Sequence, residues 1–241
     1  MSATSRGLTR IGALGWVLAI GACADRPPVP DWQLDSKSSL DRAVAAYLVG
    51  NDRVESAELA SARAQVARTG RPALLARVEL VRCASRVASL VIEPCRGFEA
   101  LAVDAEPAER AYAAFLAGRA SAADAPLLPE TQRPLVAAGA SPASDAAALD
   151  RMAEPLSKLV GAGVLLQSGR ASPDVVARAV EAASVQGWRR PLLAWLTLQL
   201  RQAESSGDGD AAARIRRRLD IVAPAATSAS SPPQTSGAAP A

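Results

Sequence analysis

The stretch Arg71–Ala88, RPALLARVELVRCASRVA, decides the fold class. Pro72 suits the first position of a helix, where its missing N–H removes no intrahelical bond. From there Leu74, Leu75, Val78, Leu80, Val81, Ala84, Val87 and Ala88 are apolar over much more than one face. A helix that is apolar around most of its circumference must be covered by neighbours. The sequence therefore predicts a central helix at this point, with amphipathic helices around it.

The flanking segments supply those helices. Toward the N-terminus, Leu40, Ala43, Val44, Tyr47 and Leu48 follow the i, i+3, i+4, i+7, i+8 stripe of an amphipathic helix, with Ser36, Ser38 or Ser39 as N-cap and Gly50-Asn51 as its end. Asn51 or Asp52 then caps a second helix through Val54, Leu59, Ala62 and Val66, closed at Gly70. After the central helix, Leu90-Val91-Ile92 is β-branched but has no partner strand, so it reads as a helix end or buried loop, and Phe98–Val103 as one further turn. Pro107 opens a helix with Ala111, Tyr112, Phe115 and Leu116 that stops at Gly118. Residues 119–144 are rich in Ala, Ser and Pro, with a short helix over Glu130–Ala138, and read as a joint between two lobes, 31–118 and 145–222. A longer helix covers Asp145–Leu166, kinked or split at Pro155, and Gly161 and Gly163 permit close helix approach. Ser172-Pro173-Asp174 starts the next helix, Pro191 another, and Asp210–Val222 forms the last. Residues 223–241 are Ala/Ser/Pro/Thr-rich without a charged side chain and are expected to be a disordered tail.

Every element is a helix joined by short Gly/Pro turns, so the expectation is an all-α domain over 31–222, built as an array of antiparallel helical hairpins. Arg71-Pro72-Ala73-Leu74-Leu75-Ala76 has an echo in Arg190-Pro191-Leu192-Leu193-Ala194. Gly207-Asp208-Gly209-Asp210-Ala211-Ala212 before Arg214 resembles the helix turn of tetratricopeptide-type helical hairpins, without their 34-residue signature.

The first residues address location. Arg6 and Arg10 precede an apolar run of 12 residues, Ile11–Ala22, and no acid occurs before Asp25. A charged start, a short apolar run and small residues at a cleavage point make an export signal. Ile20-Gly21-Ala22-Cys23 resembles the lipobox of bacterial lipoproteins. That resemblance implies removal of residues 1–22 and acylation of Cys23, with residues 23–30 as a proline-rich tether. Ala24 after the cysteine implies, by the same resemblance, the periplasmic side of the outer membrane. Ala22-Cys23-Ala24 also fits an ordinary signal-peptidase site, which would release a soluble chain, and 12 apolar residues fall short of the roughly 20 that span a bilayer.

Composition excludes several chemistries. Without residues 1–22 the 27 basic residues become 25 against 24 acidic ones, so a net charge of +1 gives no argument for nucleic acid. Histidine is absent, which removes the usual general base and the commonest metal ligand. No cofactor or metal motif occurs. In an exported chain the remaining pair, Cys83 and Cys95, points to a disulfide, with two buried free thiols as the alternative. Bridging them requires the helix to stop near Ser89 and the chain to double back through Pro94 and Gly97.

These features predict a non-enzymatic, lipid-anchored envelope protein that acts as an interaction scaffold, adaptor or assembly factor. Its partners would be the membrane, through Cys23, and another envelope protein. Trp188, Arg189 and Arg190, with Trp188 exposed after Gly187, form one candidate binding patch, since Trp and Arg are enriched in interface hot spots. Arg214, Arg217 and Arg218, on one helix face, form another, for anionic headgroups or an acidic partner. In the bland reading these arginines complement the helix dipole and pair with Asp208, Asp210 and Asp220. A carrier of a small apolar ligand, or a cell-wall hydrolase using Glu99 or Glu106, are the rival readings.

Overall fold

The computed structural model describes residues 28–137 and 141–223. Those residues form ten α-helices, numbered in chain order: α1 Asp31–Val49, α2 Asp52–Ala67, α3 Pro72–Ala88, α4 Arg96–Glu99 and α5 Pro107–Leu116; then α6 Pro142–Arg151, α7 Pro155–Gln167, α8 Pro173–Val185, α9 Arg189–Ser205 and α10 Gly209–Val222. Three 3-10 segments, Ala102–Asp104, Ala122–Leu127 and Glu130–Val136, complete the list, and no strand occurs among the described residues. The domain is all-α.

Local chemistry accounts for most boundaries. The Asn51 side chain accepts the Val54 N–H at 3.2 Å to start α2, and Asp208 accepts the Ala211 N–H at 2.9 Å to start α10. Proline occupies the first turn of α3, α5, α6, α7 and α8. Gly50, at φ +90°, closes α1 in the left-handed region, with the Asn51 N–H on the Ala46 carbonyl. The end of α3 uses the same closure without a glycine. Leu90 sits at φ +58°, its N–H on the Val87 carbonyl, and Val91 donates to Arg86. A leucine there costs about 1 kcal/mol in backbone strain.

Three expected helix starts move, that of α6 from Asp145 to Pro142. α1 begins at Asp31, with Pro30 ahead of it, rather than at a serine cap. Ser36 and Ser39 are buried on the α2 side of α1, Ser36 donating to the Ala62 carbonyl at 3.4 Å and Ser39 meeting Ser61 at 3.0 Å. α9 begins at Arg189, two residues before Pro191. The helix expected over 145–166 is split at Pro155 into α6 and α7.

α3 is the central element, in contact with α1, α2, α4, α5 and α7. The main core takes Leu80, Val87, Phe115, Leu149, Leu159, Leu165, Val176, Trp195 and Leu196, so it runs through both expected lobes. The segment read as a joint contributes fully to it, because Leu128 and Leu135 are buried. Ala43, Leu59, Ala62, Val66 and Val78 make a smaller core between α1, α2 and α3. The hairpins α1–α2, α8–α9 and α9–α10 pack as neighbours, and α9 returns to touch α1. Trp195 ties α9 to the end of α3 by donating its indole N–H to the Ala88 carbonyl at 2.9 Å.

Candidate functional site

Arginine–carboxylate clamps hold the helices in register, and they consume part of the predicted surface. Arg86 on α3 donates to buried Glu55 at 2.6 Å. Its guanidinium lies 3.8 Å from the centre of the Tyr47 ring, and Arg190 covers the same ring at 4.2 Å. Arg190 also donates to Asp52 at 2.5 Å. Burial alone would lower the Arg190 guanidinium, but Asp52 and Tyr47 outweigh it and raise it. Arg190 is thus a tie between α9 and the α1–α2 turn. Arg189 is exposed on its other side, with its guanidinium packed on Gly50. Trp188, expected to stand exposed, is half-buried against the main core. The reason is local: the turn at Gly187 directs the chain back, with the Trp188 N–H on the Ala183 carbonyl.

Cys83 and Cys95 are joined in a disulfide, with Cα atoms 5.9 Å apart. It borders a cleft of about 360 Å³ shared by Arg86, Glu93, Phe98, Glu99, Arg119 and Gln167. Val91 and Ile92, expected to be helical or buried, are exposed at its rim. Glu99 lines this cleft while Glu106 is an exposed residue 3.4 Å from Arg77, so the two carboxylates offered for hydrolysis do not share a site. Among the described residues no cluster of three His, Cys, Asp or Glu is placed to hold a metal ion.

Two partly apolar depressions run along α3. One depression, of about 440 Å³, lies between α1 and α3 and is lined by Trp32, Leu40, Leu74, Val78 and Val81. A second, of about 480 Å³, continues between α3, α5 and the Pro126–Pro129 bend, lined by Leu80, Val81, Tyr112, Leu127 and Leu128. Arg77 and Val81 line both, so the two depressions adjoin across the α3 turn 77–81 and together are termed the groove. Leu127 is 44% exposed at the far wall. Glu109 lies beneath, its Oε1 paired with Arg77 and its Oε2 without a hydrogen-bond partner. Burial pushes the Tyr112 phenol up to about 12, the Gln132 amide opposing, so the ring stays neutral. A groove of this make-up can take an apolar segment.

The groove was not foreseen in the sequence. Its signal was the surplus of α3, whose apolar residues exceed what one core face uses, together with Trp32 ahead of the expected helix start. Leu74, Val78, Leu193 and Leu196, whose shared cavity would favour a small-ligand carrier, do not come together, since Val78 belongs to the small core and Leu196 to the main one. Arg214, Arg217 and Arg218 are exposed together on α10. Cys23, residues 23–27 of the tether and the tail from 224 lie outside the described residues.

No protein-family model, no curated protein and no solved structure matches this chain.

Proposed function

We propose that this chain is a lipid-anchored protein of the cell envelope, held at the periplasmic side of the outer membrane through Cys23. It works without catalysis, as a helical scaffold or adaptor. Its groove along α3 receives an apolar segment of another envelope protein. The groove is the observation that carries the partner reading: Trp32, Leu74, Val81, Tyr112 and Leu127 bring together apolar side chains from four parts of the chain. A contiguous apolar surface of this kind marks an interaction site. The anchor reading is supported by the order Arg6, Arg10, Ile11–Ala22, Cys23. No helix among the described residues is long and apolar enough to cross a membrane.

The two parts separate experimentally. Cys23→Ser should abolish acylation and shift the chain out of the detergent-soluble outer-membrane fraction; unchanged fractionation and an unacylated wild-type mass would remove the anchor. Val81→Asp with Leu127→Asp should abolish partner cross-linking while the chain stays acylated. A partner captured equally by this variant would place the binding surface elsewhere. The apolar lining also favours a second reading, carriage of a small apolar molecule, which organic extraction of the purified protein would reveal.

A further inference from the structure

We infer that the outer face of α10 docks on an anionic phospholipid surface. The helix separates its faces sharply: Ala212 and Ile215 are buried, Leu219 and Val222 are half-buried against the main core, and Arg214, Arg217, Arg218 and Ile221 all face outward. At 3.6 residues per turn those four side chains form one continuous stripe two turns long. The alternative account, in which neighbouring acids occupy these arginines, is not what the helix shows. Asp208 spends its carboxylate on the Ala211 N–H, and Arg216, on the flank, is the arginine that pairs, with Glu204. Asp210 lies one turn ahead of Arg214 on the same face, and Asp220 lies beside the stripe. Neither forms an ion pair with Arg214, Arg217 or Arg218 among the described residues.

The charge is also concentrated at this end. Residues 189–222 carry seven arginines against four acids, a net +3, whereas residues 31–188 carry 17 basic and 19 acidic side chains, a net −2. The arginines therefore stand out in an otherwise acidic body, which orients the molecule toward negative charge. What selects lipid over an acidic polypeptide is Ile221, 83% exposed and in line with the arginines. An aliphatic side chain flush with guanidiniums matches the boundary between phosphate headgroups and acyl chains, where arginine reaches the phosphates while the aliphatic group enters the hydrocarbon. In combination with acylated Cys23 this face would fix the orientation of the scaffold on its membrane, so the inference rests on the proposed anchor for its setting but not for its test.

The test uses the full acylated chain carrying Ile221→Trp, reconstituted with vesicles of phosphatidylcholine alone or with about one third phosphatidylglycerol. Flotation with the neutral vesicles reports the anchor. Contact of α10 is reported by quenching of the introduced indole by brominated lipid, measured against the unsubstituted chain, whose own tryptophans give the baseline. The expected result is quenching in anionic vesicles only, abolished in about 1 M salt, where the screening length falls to about 3 Å. Adding Arg214→Gln, Arg217→Gln and Arg218→Gln should weaken the contact on the order of 100-fold, from a roughly fivefold contribution per arginine. These exposed substitutions should leave the far-UV circular dichroism unchanged. Absence of quenching in anionic vesicles that still float the protein would overturn the docking and leave the anchor standing. Quenching that is equal in neutral vesicles would overturn the electrostatic basis. A shift in the indole emission by polyglutamate, with none by phosphatidylglycerol, would assign the face to an acidic polypeptide and overturn the lipid.

Discussion

Gly163→Ala is the most informative single perturbation of the fold, because it tests the contact that unites the two halves of the chain. A methyl at Gly163 on α7 would lie 2.5 Å from the Val87 carbonyl oxygen and 2.8 Å from Val87 Cγ1 on α3. Backbone cannot rotate away, so α3 and α7 would have to part by roughly 1 Å in an interior packed at crystal density. α3 is held by α1, α2 and α5 as well, and the Val87 carbonyl already accepts the Leu90 N–H. Such overpacking costs about 3 kcal/mol, and the better helix propensity of alanine returns about 1 kcal/mol. The net loss is therefore about 2 kcal/mol, which for a domain of this size lowers Tm by roughly 4–8 °C. Gly161→Ala is the matched control two residues earlier. There the added carbon meets Leu135 Cδ1 at 2.8 Å and Leu149 Cδ2 at 3.1 Å, the far ends of side chains rather than backbone. Yielding of those ends and the propensity gain should nearly cancel, within about 0.5 kcal/mol of the parent. Urea unfolding followed by circular dichroism, with the disulfide intact, measures both. Equal stability of the two variants, or a Gly163→Ala protein more stable than the parent, would refute the close α3–α7 approach.

Trp195→Phe removes the donor to the Ala88 carbonyl and leaves that oxygen buried without a partner; the expected loss is about 1–3 kcal/mol in the same unfolding assay. Arg86→Met strands the buried Glu55 carboxylate and should cost about 3–5 kcal/mol, while adding Glu55→Met should restore most of it, a pattern a double-variant cycle reads directly. The Arg178 guanidinium holds the Asp150 carboxyl below its ordinary 3.8. A lowered folded-state value means that this pair's stabilisation is complete above about pH 4 and is lost as the pH falls through the folded value. Asp150→Asn should therefore narrow the stability difference between neutral and acid pH, as measured by urea midpoints from pH 7 to pH 2.

Much of the fold was legible because proline, glycine and short polar caps act locally. Asn51, Pro72, Pro107 and Ser172-Pro173 mark starts that the structure keeps. α1 was misplaced because Pro30 leaves no capping side chain to recognise, while Ser36 and Ser39, good caps by type, satisfy their hydroxyls against α2 instead. The close of α3 near Ser89 was legible from the spacing of Cys83 and Cys95, but its left-handed closure at Leu90 was not, because a leucine occupies a backbone position where glycine is the expected signal. The joint at 119–144 looked like a linker since its composition is poor in large apolar residues, yet Leu128 and Leu135 suffice to anchor it in the core. The sites divide in the same way. The α10 arginines share one helix, so their common face followed from helical periodicity. Arg190 and the groove depend on distant segments coming together, Asp52 bonded to Arg190 and Trp32 sharing a depression with Leu74, which no local pattern encodes.

The most direct measurement is site-specific photo-cross-linking in intact envelopes, with a benzophenone side chain placed in turn at Val81, Leu127 and Val185. Val81 and Leu127 line the groove, and Val185, 70% exposed at the end of α8, is absent from its lining. The account predicts a discrete adduct with one envelope protein from Val81 and Leu127 and none from Val185. Adducts of equal yield from all three positions, or adducts from Val185 alone, would contradict the groove as the partner site.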